Sequence, residues 1–434
     1  MLYDTSAAGM NIGWDVLGAL VLLGVLFLLA VPIWIALGLS ALVMLWQTNV
    51  LPLSVLGESL FSGVNHYALI AIPLYLLTGD ALVRTGLSVK LLNFAEATMG
   101  SLRSGMGTST VLGCGFFSSI SGSDAAGCAA VGRMTYARLV EKGYPPSYAA
   151  ALVAAGSCTG ILIPPSIAYI IIGMILGISA ASLFVAAIVP GIMVLISIML
   201  TNIAINRIYD YENSTSKFSF SAWLAALWDA KFALSIPFII LGGIYSGIFT
   251  PTEAAAVAVA VTLIIGFAIG TLTLGQVPAM LWSSAKVNGI IVPIIAVALP
   301  LAQALALVEV PQQFAALIQS LTDDPTITIL LMLGVFIVAG CVMEATPNIV
   351  ILAPIMFPLA QEIGMNDVQF CIFMITSLGV GFITPPLGLN LFVISSVTGG
   401  SILSIAARSF PYVISMLVVV LMIAFIPELS TWWM

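Results

Sequence analysis

The sequence predicts an all-α polytopic membrane protein made of two inverted-topology repeats, each with five transmembrane helices and one re-entrant hairpin. Three observations carry that reading. The chain of 434 residues is 61% hydrophobic and only 7% charged, against about 25% charged residues in soluble domains. Its basic residues all fall on one side of the expected membrane. A set of motifs also returns at a nearly constant interval along the chain.

The composition excludes several function classes at once. Several stretches hold 18 or more nearly uncharged residues, enough to cross a bilayer as a helix. A soluble enzyme with a large core is thereby excluded. The net charge of −7 gives no support to nucleic-acid binding. The opening MLYDTSAAGMN has no basic n-region, so the first apolar segment is expected to remain as an anchor. Cys114, Cys128, Cys158, Cys341 and Cys371 show no C-x-x-C spacing and lie in apolar segments, which reads as buried thiols and not as a disulfide or zinc framework. The single histidine, His66, cannot form a His-based metal site alone and is expected as an interfacial polar residue beside Tyr67.

Taken in order, crossings are expected at about 14–31, 32–49, 67–85, 147–176, 182–205, 233–249, 252–273, 288–308, 367–398 and 404–427. Two more apolar stretches, 104–140 and 325–363, are interrupted by SSISGSD and MEATPN. Each half of these is about 15 residues, roughly 22 Å as helix, short of the roughly 30 Å hydrocarbon core. They are therefore expected as hairpins that enter and leave on one side.

Charge tests this independently, because loops on the cytoplasmic side carry the excess of Lys and Arg. With ten crossings and two hairpins, one set of loops collects Arg84, Lys90, Arg103, Arg133, Arg138, Lys142, Arg207, Lys217, Lys231, Lys286 and Arg408, all 11 basic residues. The opposite loops hold Asp4, Glu58, Asp323, Asp324 and Asp367. Turning either hairpin into a single crossing would mix the two sets. Both termini are then expected outside.

The duplication appears as an offset. Gly160, Pro164, Pro165 and Pro190 recur as Gly381, Pro385, Pro386 and Pro411, each 221 positions later. The expected organisation is a first inverted repeat at 13–205 with its hairpin at 104–140, a cytoplasmic connector at 206–232, and a second repeat at 233–428 with its hairpin at 325–363. Five crossings are an odd number, so the second repeat would be inverted relative to the first. Inverted repeats with paired broken helices are a transporter signature.

The polar clusters then acquire a purpose. Non-helical backbone at membrane depth is tolerated only inside protein or along a watery cavity. Pro164-Pro165 and Pro385-Pro386 remove N–H donors and free carbonyls, which with nearby hydroxyls suit a small cation. Half-helix N-termini favour an anionic substrate. The first tip, Ser118 to Asp124, is expected to face the break at Gly156 to Pro165; the second, Glu344 to Asn348, to face Gly379 to Asn390. Substrate contact is expected at Ser123, Asp124, Asn348 and Asn390. Asp124 and Glu344 each start a descending helix, so helix capping is an alternative role for them. Ser109 and Gly113 read as packing residues, and Asp80 with Arg84 as an internal i,i+4 pair.

At GCGFFSSISGSDAA, AAGSCTGILIPPS, GIFTPTEAAAVA and GVGFITPPLGLN the sequence resembles the large membrane subunit of the tripartite ATP-independent periplasmic (TRAP) transporters, over nearly the whole chain. The resemblance implies an elevator-type secondary transporter of the bacterial inner membrane, with scaffold and transport domains and sodium as coupling ion. It implies uptake of a small organic acid, no organic cofactor and no enzymatic activity. Its partners would be a periplasmic substrate-binding protein and a small four-helix membrane subunit, expected as a separate chain because this one opens directly on the first repeat. Matched residue by residue, Ser119, Ser121, Gly156, Ser157 and Pro164 correspond to the family's first sodium region, and Gly340, Thr346, Gly379 and Thr384 to the second.

Three rival readings fit the sequence less well. A stand-alone ion-coupled anion transporter of related hairpin architecture is disfavoured by the TPTEAA and PPLGLN motifs. An intramembrane hydrolase lacks a G-x-S-x-G near a base, and His66 lies far in sequence from both tips. Paired gates on inverted halves suit alternating access better than a channel.

Overall fold

A computed structural model describes residues 14–29, 31–48, 52–212, 218–322 and 324–434. Asp4, Lys217 and Asp323 lie outside the described residues, as does most of the YDYENSTSK stretch. The described residues are helical throughout, with no strand. The first half runs α1 (Trp14–Leu28), α2 (Ile33–Thr48), α3 (Leu53–Val64), α4 (Ala71–Arg84), α5 (Leu87–Met99), α6 (Gly105–Ser121), α7 (Asp124–Glu141), α8 (Pro146–Ser157), α9 (Ile167–Leu176), α10 (Ala180–Ala186) and α11 (Ile188–Tyr209). The second runs α12 (Phe220–Tyr245), α13 (Pro251–Ala268), α14 (Val277–Leu307), α15 (Val310–Leu321), α16 (Pro325–Val342), α17 (Ala345–Glu362), α18 (Asp367–Gly381), α19 (Leu389–Thr398), α20 (Ile402–Phe425) and α21 (Glu428–Thr431).

The order of elements recurs. Helices α5 to α9 have counterparts in α15 to α19, and the pair α3–α4 stands where α14 runs unbroken. Seven helices among the described residues are long and apolar enough to cross a membrane. Six coincide with expected crossings, and the seventh, Pro325–Val342, is an arm of the second hairpin. The remaining expected crossings fall on shorter apolar helices such as Ile33–Thr48 and Ile167–Leu176.

The helices form two packed groups. An outer group joins α1 and α2, with α14 against α2, α3 and α4, and α13 between α4 and α12. An inner group contains both hairpins and the broken helices. Within it each half clasps the other: α9 packs on α17, and α19 packs on α7. Helix α8 is buried along Tyr148–Ser157 and α18 along Val368–Gly381. Helices apolar on all sides belong in the centre of a large helical body. Helix α5 lies between α12 of the outer group and α6 of the inner one, and α15 packs on both α14 and α17.

Two expectations need correction. The hairpin arms were expected at about 15 residues, but α6 has 17 and α7, α16 and α17 have 18 each. That is about 27 Å, so arm length no longer separates a hairpin from two crossings. Helix α6 absorbs its hydroxyls because Ser109, Thr110 and Ser118 donate to Gly105, Met106 and Cys114 carbonyls of the same helix. The polar connector at 206–232 is largely helix, since α11 continues to Tyr209 and α12 begins at Phe220. Trp223 holds that extension down: its ring lies 5.8 Å from Phe94 and its Nε1 donates to Thr98 at 3.1 Å. Helices α3, α5 and α15, of 12, 13 and 12 residues, lie outside the expected crossings.

Other expectations hold. Arg84 Nε meets Asp80 Oδ2 at 3.0 Å along α4. All five cysteines are buried free thiols. His66 is exposed beside Tyr67, and lines a cavity of about 490 Å³ between the two groups with Ser62, Gln303, Met174 and Pro354.

Candidate functional site

The first tip is built by one glycine turn. Helix α6 closes at Gly122, whose φ of 62° puts it in the left-handed region that glycine enters without a steric penalty. Ser123 follows in extended conformation and its hydroxyl caps α7, accepting from Ala126 N at 3.4 Å. Opposite stands the break after α8. It consists of a 3-10 turn Cys158–Ile161, the cis-linked Pro164-Pro165, and Ser166 at the start of α9.

Tip and break meet backbone to backbone. A Cβ on Gly160 would fall 2.5 Å from Asp124 N, and one on Gly122 would fall 2.8 Å from the Pro165 oxygen. The Ile167 N–H donates to Gly122 O at 3.4 Å, and the Ser118 and Thr159 hydroxyls are 3.1 Å apart. Ser121, Asp124 and Ser166 are buried, and Ser121 Oγ, Asp124 Oδ2 and Ser166 Oγ have no hydrogen-bond partner.

The second tip uses different chemistry. Met343 and Glu344 join α16 to α17 in extended conformation. Gly340 and Gly381 press together, since a Cβ on either would fall 2.6 Å from backbone atoms of the other's helix. Gly388 N–H donates to Cys341 O at 2.9 Å. Asn348 donates through Nδ2 to the Ala339 and Met343 carbonyls at 3.1 and 3.0 Å, tying off the end of α16. Asn390 instead reaches the other half, donating to Ala154 O at 3.2 Å and Cys158 Sγ at 3.5 Å. Both asparagines are fully buried with Oδ1 unpartnered.

Several expected residues come together and others do not. Ser121 lies at the tip, but Ser157 does not lie beside it. The Ser157 hydroxyl donates to Val153 O at 2.8 Å and sits 3.7 Å from Cys114 Sγ, while Gly156 also packs on Cys114. Both therefore face the shaft of α6, about two turns from its tip. The Ser119 hydroxyl donates to Phe116 O at 2.8 Å. Pro164 is in the break itself. In the second half Gly340 and Thr346 are buried at the tip. The Thr384 hydroxyl is engaged by Val380 O at 2.7 Å. Gly379 faces Ile161, Leu162 and Met416 and so looks towards the first half's break.

Of the two acids proposed as caps, Asp124 stands in the first turn of α7, where its carboxyl group accepts from the backbone N–H groups of Ala125 and Asp124, and Glu344 makes no such bond. Ser123 caps α7 in place of Asp124, and Glu344 occupies the N-cap position of α17 without a side-chain hydrogen bond. Sequence reasoning missed Thr159 and Ser166, although Ser166 stands in the GILIPPS motif immediately after the two prolines. Together the tips and breaks offer hard oxygen atoms, which suit a small hard cation. No group of three or more His, Cys, Asp or Glu able to hold a metal occurs among the described residues.

The family described as "Tripartite ATP-independent periplasmic transporter, DctM component" matches residues 20–429. The C4-dicarboxylate TRAP transporter large permease protein DctM of Pseudomonas aeruginosa is 37% identical over 86% of this chain and 88% of its own. The 2,3-diketo-L-gulonate TRAP transporter large permease protein YiaN of Escherichia coli is 31% identical, over 91% of this chain and 93% of its own. The isethionate TRAP transporter permease protein DctMQ of Oleidesulfovibrio alaskensis is 36% identical over 92% of this chain, which spans 63% of that relative's length. Among solved structures, the YdaH transporter of Alcanivorax borkumensis superposes with a TM-score of 0.60 at 15% identity, covering 88% of this chain and 89% of that one. That likeness concerns the fold alone.

Proposed function

This chain belongs to the DctM component family of the tripartite ATP-independent periplasmic transporters, and from that premise we propose that it carries out sodium-coupled uptake of a small organic acid across the bacterial inner membrane. Relatives named for C4-dicarboxylates, 2,3-diketo-L-gulonate and isethionate support the substrate class. One observation carries the reading. Of eleven buried side-chain oxygens without partners among the described residues, five, those of Ser121, Asp124, Ser166, Asn348 and Asn390, belong to the two tip–break pairs. A buried polar atom left unpaired costs about 1–3 kcal/mol, so a cluster of them points to a ligand.

In this reading sodium is held at the first pair by Ser121, Ser166 and freed carbonyls such as that of Pro165, and at the second by backbone oxygens near Gly340 and Gly381. Substrate lies between the tips, against Ser123, Asp124, Asn348 and Asn390. The outer group is the scaffold and the inner group the transport domain, carried across the membrane as one body on α5 and α15. The two halves are inverted repeats and both termini are periplasmic. A periplasmic binding protein delivers substrate, and a small membrane subunit supports the scaffold.

The test is uptake by proteoliposomes containing this chain, the small subunit and the binding protein, with a panel of labelled small organic acids from dicarboxylates to zwitterionic amino acids. Uptake is expected to follow an imposed sodium gradient. Undiminished uptake in sodium-free medium under a proton gradient would contradict sodium coupling.

A further inference from the structure

We propose that the cavity between the two helix groups is a second ligand site, which takes an aliphatic monocarboxylate of the fatty-acid type and, when filled, holds the inner group against the outer one. The binding site stands without the transport reading; its effect on transport rests on that reading.

The cavity has a volume of about 490 Å³, within the range of small-molecule sites. Its walls come from both groups. Helices α3 and α14 form the outer wall, with His66 just beyond the end of α3. Met174 and Ile175 at the end of α9, with Val350 and Pro354 of α17, form the inner wall. None of the open oxygens at the tip–break pairs belongs to a lining residue. The outer wall is a fixed surface, because α3 lies close on α14: a Cβ on Gly63 would fall 3.2 Å from Ala296 O.

The chemistry of the lining is divided between the walls. Among the described residues its only polar side chains are Ser62, His66 and Gln303, all on the outer wall, and the inner wall is wholly apolar. Gln303 accepts from the Ser59 hydroxyl through Oε1 at 2.8 Å, so its amide N–H groups are what it has left to offer. The Ser62 hydroxyl and the His66 imidazole supply further donors. No Asp, Glu, Lys or Arg lines the cavity.

That pattern selects a ligand. Three donor groups at one wall, with no acidic side chain beside them, call for a head group rich in acceptors, which a carboxylate is. With no Lys or Arg and one imidazole, the wall meets one negative charge and not two. The facing apolar wall calls for hydrocarbon, whose removal from water is favourable. A dicarboxylate would press its second charge against Met174, Ile175, Val350 and Pro354. An aliphatic monocarboxylate instead sets its head on the outer group and its tail on the inner group. If the inner group slides along the outer one during transport, such a ligand resists the movement.

The test uses decanoate with a photoreactive diazirine at the tail end, on the chain in phosphatidylcholine proteoliposomes. Decanol and decyltrimethylammonium carrying the same tail serve as matched probes. Decanoate is expected to label peptides containing Met174 and Pro354 about tenfold more than either partner at equal membrane content, the worth of one hydrogen bond to a charged group. Gln303→Leu, which removes donors, and Ala302→Phe, which fills the cavity, should each lower that labelling, with an unchanged melting temperature showing that the variant is folded. The head-group comparison needs no variant. With the small subunit and binding protein present, unlabelled decanoate should slow sodium-driven uptake of a small acid, and do so far less in Ala302→Phe. Equal labelling by all three head groups would mean partition from the bilayer only and overturns the proposal, as does labelling unchanged in both folded variants. Labelling without slowed uptake overturns the hold on the inner group. Sodium-driven accumulation of decanoate itself would make the cavity part of the substrate route and overturn a second site. Selective labelling with no sodium-driven uptake of any acid would remove the transport reading and leave the binding site standing.

Discussion

The two tip–break pairs share a plan and differ in chemistry. At the first, a left-handed glycine and three hydroxyl-bearing or acidic residues leave oxygens open: Ser121, Asp124 and Ser166. At the second, the asparagine nitrogens are occupied, Asn348 lacing the end of α16 and Asn390 reaching Ala154, while their Oδ1 atoms stay open and the Thr384 hydroxyl donates to Val380 O. The two pairs therefore share a backbone break and differ in their side chains. The first site offers hydroxyl and carboxylate oxygens, and the second offers amide oxygens.

The coarsest way to break the comparison is to ask whether the halves are inverted at all. In a cysteine-free background, Lys142→Cys and Glu362→Cys, at the bases of the two hairpins, should label from opposite membrane faces with an impermeant thiol reagent. Labelling from one face would end the inverted-repeat account.

Next in size is the backbone contact at the first pair. Gly160→Val would drive a Cβ to 2.5 Å from Asp124 N, a clash with main chain that cannot rotate away. Overpacking of this kind costs about 1–3 kcal/mol or more, so a lower melting temperature and abolished uptake are expected together. Wild-type uptake would mean the tip and break are not in contact during transport.

A smaller effect separates the halves. Asn348→Ala removes two partly buried hydrogen bonds that secure the second tip, so it should destabilise by about 1–3 kcal/mol in a melting experiment, whatever sodium is present. A loss confined to sodium affinity would reassign Asn348 from holding the hairpin to binding the ion.

Much of this was legible in the sequence because the signals are local. Hydropathy, the two Pro-Pro pairs, the 221-residue offset between Gly160 and Gly381, and the one-sided Lys and Arg loops need no tertiary information. The helical arms resisted reading because hydroxyls that look like loop chemistry bond back into α6. The site resisted at finer scale. That Asn390 would tie itself to Ala154, 236 residues earlier, depends on how the halves clasp. That Gly122 would meet Pro165 and Ser166 while Ser157 faces Cys114 depends on where a 3-10 turn redirects the chain. Ser166 was in plain view after the prolines, yet nothing in its neighbours marks it as buried and unpaired.

The most direct measurement of the central claim, that open oxygens at the first tip hold sodium, is a sodium titration of thermal stability on two variants side by side. Ser121→Ala deletes an unpartnered buried hydroxyl and keeps a small side chain. Thr384→Val deletes a hydroxyl that donates to Val380 O. One lost oxygen contact is worth on the order of 1–3 kcal/mol, about tenfold or more in affinity. Ser121→Ala should raise the half-saturating sodium concentration by about that factor with little change in sodium-free melting, while Thr384→Val should alter melting more than sodium dependence. Unchanged sodium dependence in Ser121→Ala would contradict the claim.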